Sequence, residues 1–170
     1  MNKESKTTIA NEESMESRLE QILNDALIKA TDTYSVPPQI IWVDNSTIAT
    51  LGNFSASTGK AKAKKTFNVS ALVAASLSNG TVLNYRACLP EGKRRILYVD
   101  TEQSRYHCHN VLARILKLAG LPTDMDNQNL DFIGLREYTP AIRMEVIDYA
   151  LAHNHGYGLV IIDGIRDLLL

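Results

Sequence analysis

The chain has only two cysteines, Cys88 and Cys108, among 170 residues. That scarcity excludes a disulfide framework and a four-cysteine zinc site. Neither sign of charge is in excess: Lys and Arg number 18 against 19 Asp and Glu, a formal net charge of -1. No global field therefore favours a nucleic acid or a membrane surface. No apolar run is long enough to span a bilayer, and no stretch reads as a signal peptide. Internal repeats are absent too. What remains, 45% hydrophobic and 22% charged residues, is the composition of an ordinary soluble domain, with enough length for one α/β core. Reduced thiols and the lack of a membrane segment make the expected location cytoplasmic, with no membrane partner.

The pattern divides at Pro37-Pro38. Within residues 1–36, the polar stretch Met1 to Ala10 is expected to be disordered. From Asn11, a candidate cap, apolar residues at Met15, Leu19, Ile22, Leu23, Ala26, Leu27 and Ala30 draw one stripe on a helix. That helix must stop before the prolines. Residues 37–170 alternate strand and helix patterns. Strands are expected at 40–43, 48–54, 81–88, 95–100, 130–135 and 158–162. Helices are expected at 67–78, around Val111 to Ala119, and at 141–152. Such alternation predicts an α/β fold with a mainly parallel sheet and right-handed crossovers. The chain is still laying down apolar residues at Leu168-Leu169-Leu170, which reads as a domain truncated at its C-terminus.

The run Gly59-Lys60-Ala61-Lys62-Ala63-Lys64-Lys65-Thr66 leads into the 67–78 helix at Phe67. It fits the phosphate-loop pattern G-x-x-x-x-G-K-[ST] at Gly59, Lys65 and Thr66 and departs from it at Lys64, where glycine is expected. Such a loop joins a strand end to a helix start, so that free N–H groups and the positive helix end face phosphates. Lys65 would reach the β- and γ-phosphates and the Thr66 hydroxyl would ligate Mg²⁺. Glycine at position 64 would let the backbone approach closely; with lysine there, either the loop takes another path or the site is weakened. The lysines at 60, 62 and 64 favour either a bound triphosphate or a nucleic-acid backbone.

Two acids strengthen the reading. Asp163 ends the 158–162 strand, where an aspartate can hold Mg²⁺ beside a phosphate loop. Glu102 lies just past Asp100, at the end of another buried strand, and could polarise an attacking water. In a parallel sheet the strand ends carry the active site, so these groups are expected to meet along one edge. The pairs His107 with His109 and His153 with His155 lack zinc spacing. Arg136, Arg143 and Arg166 are candidate intersubunit contacts without a motif.

Taken together, these segments resemble the RecA-like ATPase core, in particular the KaiC-like and RepA-like hexameric helicases. Gly59 to Thr66 corresponds to Walker A, Leu97-Tyr98-Val99-Asp100-Thr101-Glu102 to the strand with the catalytic glutamate, and Leu159-Val160-Ile161-Ile162-Asp163-Gly164 to Walker B. The lysine-rich loop is similar to that of ATPases encoded by bacterial mobilisable elements and plasmids. The resemblance covers residues 37–170 and implies a three-layer core, ATP and Mg²⁺ as cofactors, DNA as partner, and assembly into a homo-oligomer such as a hexamer. Two other readings stand beside it. One is a non-catalytic module whose lysines grip DNA or RNA phosphates; the other is a small-molecule kinase using the same loop.

Overall fold

The structure, a computed structural model, describes residues 3–58 and 65–169. The chain forms two units, 1–36 and 37–170.

The first unit is built on helix α1, Lys3–Ala26. It begins well before Asn11, in the stretch expected to be disordered. No proline or glycine occurs before Pro37, so nothing in the polar segment breaks the helix. It also stops earlier than the apolar stripe suggests. Asp32 accepts hydrogen bonds from the Lys29 N–H at 2.8 Å and the Tyr34 hydroxyl at 2.9 Å. This local turn competes with further helix.

The second unit holds two sheets of different kind. In the first, β1 (Gln39–Val43), β2 (Ser46–Thr50), β3 (Thr81–Val82) and β4 (Tyr85–Ala87) run in the order β2-β1-β4-β3, and every pairing is antiparallel. In the second, β5 (Arg95–Asp100), β6 (Leu130–Gly134) and β7 (Tyr157–Asp163) run parallel in the order β6-β5-β7. The expected mainly parallel sheet is thus corrected: parallel pairing is confined to three strands. The reason lies in two tight turns. Asp44 and Leu83 take positive φ, 51° and 54°, and each turn folds the next strand straight back, whereas a parallel crossover needs a dozen residues or more. The strand expected at 48–54 is the returning arm Ser46–Thr50, and that expected at 81–88 is itself a hairpin.

Three helices cover these sheets: α2 (Lys65–Ser78), α3 (Arg105–Leu118) and α4 (Pro140–His153). Strand β5 is apolar from Ile96 to Val99 and buried there on both faces. Ile96 and Tyr98 pack with Val73, Ala74 and Ala75 of α2 and with Val111 and Ile115 of α3. Leu97 and Val99 face the other way, toward Ile147 of α4. The parallel sheet therefore lies between two helical layers. Ile40 and Ile41 of β1 and Ala87 of β4 join the α2 side, so α2 serves both sheets.

Helix α2 ends in a glycine-type stop. Asn79, at φ 49°, donates to the Ser76 carbonyl at 3.2 Å, and the Gly80 N–H reaches back to Ala75 at 3.0 Å, which satisfies the final carbonyls. The Asn79 side chain accepts the Leu89 N–H, and Arg94 donates to the Leu89 carbonyl. The C-terminal end of α2 is thereby tied to the entry of β5. A helix of 14 residues and a strand of six both span roughly 20 Å. Helix α2 therefore directs its first turn, with Lys65 and Thr66, toward the end where β5 finishes.

Candidate functional site

Strands β5 and β7 stop in register, with Asp100 beside Asp163. Alternation along β7 turns Leu159 and Ile161 to the α2 side, and Asp163, two residues on, shares that side. The Tyr98 hydroxyl confirms the direction by donating to Asp163 Oδ2 at 3.1 Å. The tyrosine ring is fully buried and stacks on Phe132 at 4.4 Å. Burial first, and the neighbouring Asp163 carboxylate second, raise the Tyr98 hydroxyl well above the usual tyrosine range. It stays a hydrogen-bond donor at any physiological pH. One oxygen of Asp163 is thus held, while no hydrogen bond to the other is found among the described residues.

Asp100 has a different task. It is fully buried, and its carboxylate accepts the Glu102 N–H at 3.0 Å, the Gln103 N–H at 2.8 Å and the Gln103 side-chain amide at 2.6 Å. This Asx-type turn ends the strand and fixes the backbone that carries Glu102. Helix α3 starts directly afterwards at Arg105, presenting the exposed Glu102 at the sheet edge. Cys108, one turn into α3, is buried against Gly134. Burial, and then the charge of Asp100, push its thiol up to about 11.

Lys65 is exposed and Thr66 half-buried in the opening turn of α2. The Thr66 carbonyl accepts the Ser70 hydroxyl at 2.6 Å. Phe67 is 41% exposed and so lies at the rim rather than in the core. Gly59, Lys60, Ala61, Lys62, Ala63 and Lys64 lie outside the described residues. Helix direction and strand register bring the Lys65-Thr66 turn, Glu102 and Asp163 to one end of the parallel sheet. They do not supply the expected strand before the loop: β2 ends at Thr50 in the antiparallel sheet, and residues 51–58 form no strand.

A cleft of about 490 Å³ opens beside Glu102, lined by Thr101, Arg136, Pro140, Arg143 and Asp167. Arg143 is not free to reach a neighbour, as the sequence had suggested. Its guanidinium donates to the carbonyls of Leu135 at 3.0 Å, Arg136 at 2.8 Å and Asp167 at 2.7 Å. It clamps the 3₁₀ turn Ile165–Leu168 onto the loop after β6. Arg136 and Arg166 remain exposed. Among the described residues no group of three or more His, Cys, Asp or Glu side chains is placed to hold a metal. No helix among the described residues is long and apolar enough to cross a membrane.

Reading the sequence alone missed the roles of Tyr98, Asp100 and Arg143. Asp100 had a signal, an aspartate two residues before a turn amide. Arg143 had none, since its three acceptors are backbone carbonyls, which carry no side-chain signal. No protein-family model, curated protein or solved structure matches this chain.

Proposed function

We propose that this chain is a RecA-like P-loop ATPase domain that acts on DNA, in the replication or mobilisation of a plasmid or mobile element. One observation carries the reading. The helix that opens with Lys65-Thr66 points its first turn at the sheet end where Asp163 finishes β7 and Glu102 follows the last residue of β5, Asp100. The residues present fit a magnesium nucleotide. A helix N-terminus favours phosphate, Lys65 supplies a flexible cation, and Asp163 keeps a carboxylate oxygen uncommitted on the same side of the sheet. Thr66 and Asp163 would hold the metal ion, which when bound neutralises charge on the phosphates. Lys65 stabilises negative charge on the transferred group. Glu102, which borders the cleft, orients and deprotonates the attacking water. Assembly into a ring, with DNA as the substrate, belongs to the same reading through the resemblance.

A second reading has an observation in its favour. The segment before the lysine-rich loop belongs to an antiparallel hairpin, not to the parallel sheet, so the strand-loop-helix context is incomplete. A loop in that setting suits a module that grips nucleic-acid phosphates without hydrolysis, and its binding falls steeply with salt. Thermal unfolding with ATP, ADP and Mg²⁺ separates the two, because a ligand of the folded state raises its apparent stability. The ATPase reading expects a magnesium-dependent rise that persists in Glu102→Gln while turnover disappears. No rise at millimolar nucleotide overturns it in favour of the second reading.

A further inference from the structure

Between the two acids of the sheet edge sits a residue that neither motif assigns. Thr101 is 1% exposed, although it lies beyond the end of β5 and next to the exposed Glu102. Its N–H donates to the Asp163 carbonyl at 3.1 Å. Its hydroxyl lies 2.8 Å from the Gly164 carbonyl, 3.2 Å from the Asp163 carbonyl and 3.3 Å from Asp167 Oδ2. With one proton to give, it bonds best to Gly164, and the remaining oxygens surround it as alternatives. Gly164 is shaped for this contact. Its φ is +97°, and a Cβ there would collide with the Thr101 hydroxyl and stand 2.7 Å from Glu102 Cγ. Only glycine permits both the backbone conformation and the close approach.

We propose that Thr101 is a positioning residue, a latch that joins Glu102 to the strand end carrying Asp163, with Gly164 as its seat. Asp100 fixes the Glu102 backbone from one side, through the 102 and 103 amides. Thr101 fixes it from the other, through Asp163, Gly164 and the turn that Arg143 clamps. The two carboxylates then keep a constant separation as the cleft beside Glu102 fills and empties. For its catalytic consequence the proposal rests on the ATPase reading, since a water-orienting carboxylate misplaced by about 1 Å loses on the order of a hundredfold in rate.

The test uses Thr101→Val, which keeps the shape and loses the hydroxyl, and Thr101→Ser, which keeps the hydroxyl. In steady-state ATP hydrolysis, Thr101→Val is expected to lower kcat by about tenfold to a hundredfold with KM unchanged, and Thr101→Ser to restore the parent kcat. Gly164→Ala should copy the valine variant. A parent kcat in Thr101→Val, while Glu102→Gln is inactive, overturns the positioning role. Parent activity in Glu102→Gln instead overturns the functional reading. Amide exchange without nucleotide decides the latch by itself. Thr101→Val should speed exchange at the Thr101 and Asp167 amides, and unchanged rates there would show that no latch exists.

Discussion

The antiparallel and parallel sheets of the 37–170 unit share α2 and little else. The antiparallel sheet closes its hydrogen bonds through short turns. Its outward side carries Trp42 under the Arg86 guanidinium, 3.7 Å from the ring centre, and no acid of the proposed site. In the parallel sheet the central strand β5 is buried between its charged ends, and the acids of the proposed site lie at the end where it and β7 stop. Every carboxylate of the proposed chemistry sits at that stop: Asp100, Glu102 and Asp163. The difference teaches that burial on both faces concentrates function at a strand end. A sheet with one open face can spread contacts over its surface.

The largest expected effect tests whether the two sheets are one cooperative body. Ile41 of the antiparallel sheet and Ile96 of the parallel sheet are 1% and 0% exposed and belong to the same core. Each change to alanine should cost about 2–5 kcal/mol, seen as one shifted transition in urea monitored by circular dichroism. A second transition in either variant would show that the sheets unfold apart.

A smaller effect should be confined to the parallel side. Arg143→Ala removes three hydrogen bonds from a charged donor to carbonyls that are part-buried or exposed, so water can serve the freed acceptors. A net loss of about 1–3 kcal/mol is expected. Faster amide exchange should follow at Asp167 and Leu169, but not in β1–β4. Loosening of β1–β4 would mean that the clamp supports the whole unit.

The thiols give the finest contrast, one near each sheet. Cys88 is exposed and Cys108 buried, so a thiol reagent at pH 8 should label Cys88 first and Cys108 only on unfolding. Cys108 also sets an alkaline slope. Its thiol titrates at 9.0 when unperturbed and at about 11 when folded. From pH 9 upward the unfolded chain ionises while the folded chain keeps its proton, so stability falls through pH 9–11. Tyr98, raised for the same reason, steepens the fall above pH 10. Urea midpoints across this range should decline less in Cys108→Ala; an equal decline would show that the buried thiol is not the titrating group.

How legible these features were follows from the same contrast. The parallel strands at 95–100 and 157–163 announce themselves as apolar runs ending in Asp, and the structure keeps both within a residue or so; only the first is buried. Helices at 65–78 and 105–118 carry their stops in sequence, Asn79-Gly80 and Gly120. The hairpins were not legible, because Asp44-Asn45 and Leu83-Asn84 turn the chain through left-handed backbone at residues other than glycine. Asp44-Asn45 is a turn pair that does not by itself show the next strand coming straight back, and Leu83 carries no turn signal at all. In the site, Lys65, Thr66, Glu102 and Asp163 could be named from spacing. Thr101 and Gly164 could not, since their importance lies in a contact between residues far apart in sequence. Tyr98 reads in sequence as one more position of the strand, and only the fold puts its hydroxyl on Asp163.

The central claim is that nucleotide phosphate sits against the first turn of α2, facing the Asp163 edge. Titration of a fluorescent ATP analogue in the presence of Mg²⁺, on the parent and on Lys65→Ala, tests it most directly. The account predicts saturable binding that Lys65→Ala removes while the melting temperature of the free protein stays the same. Equal affinity in the two proteins would contradict it.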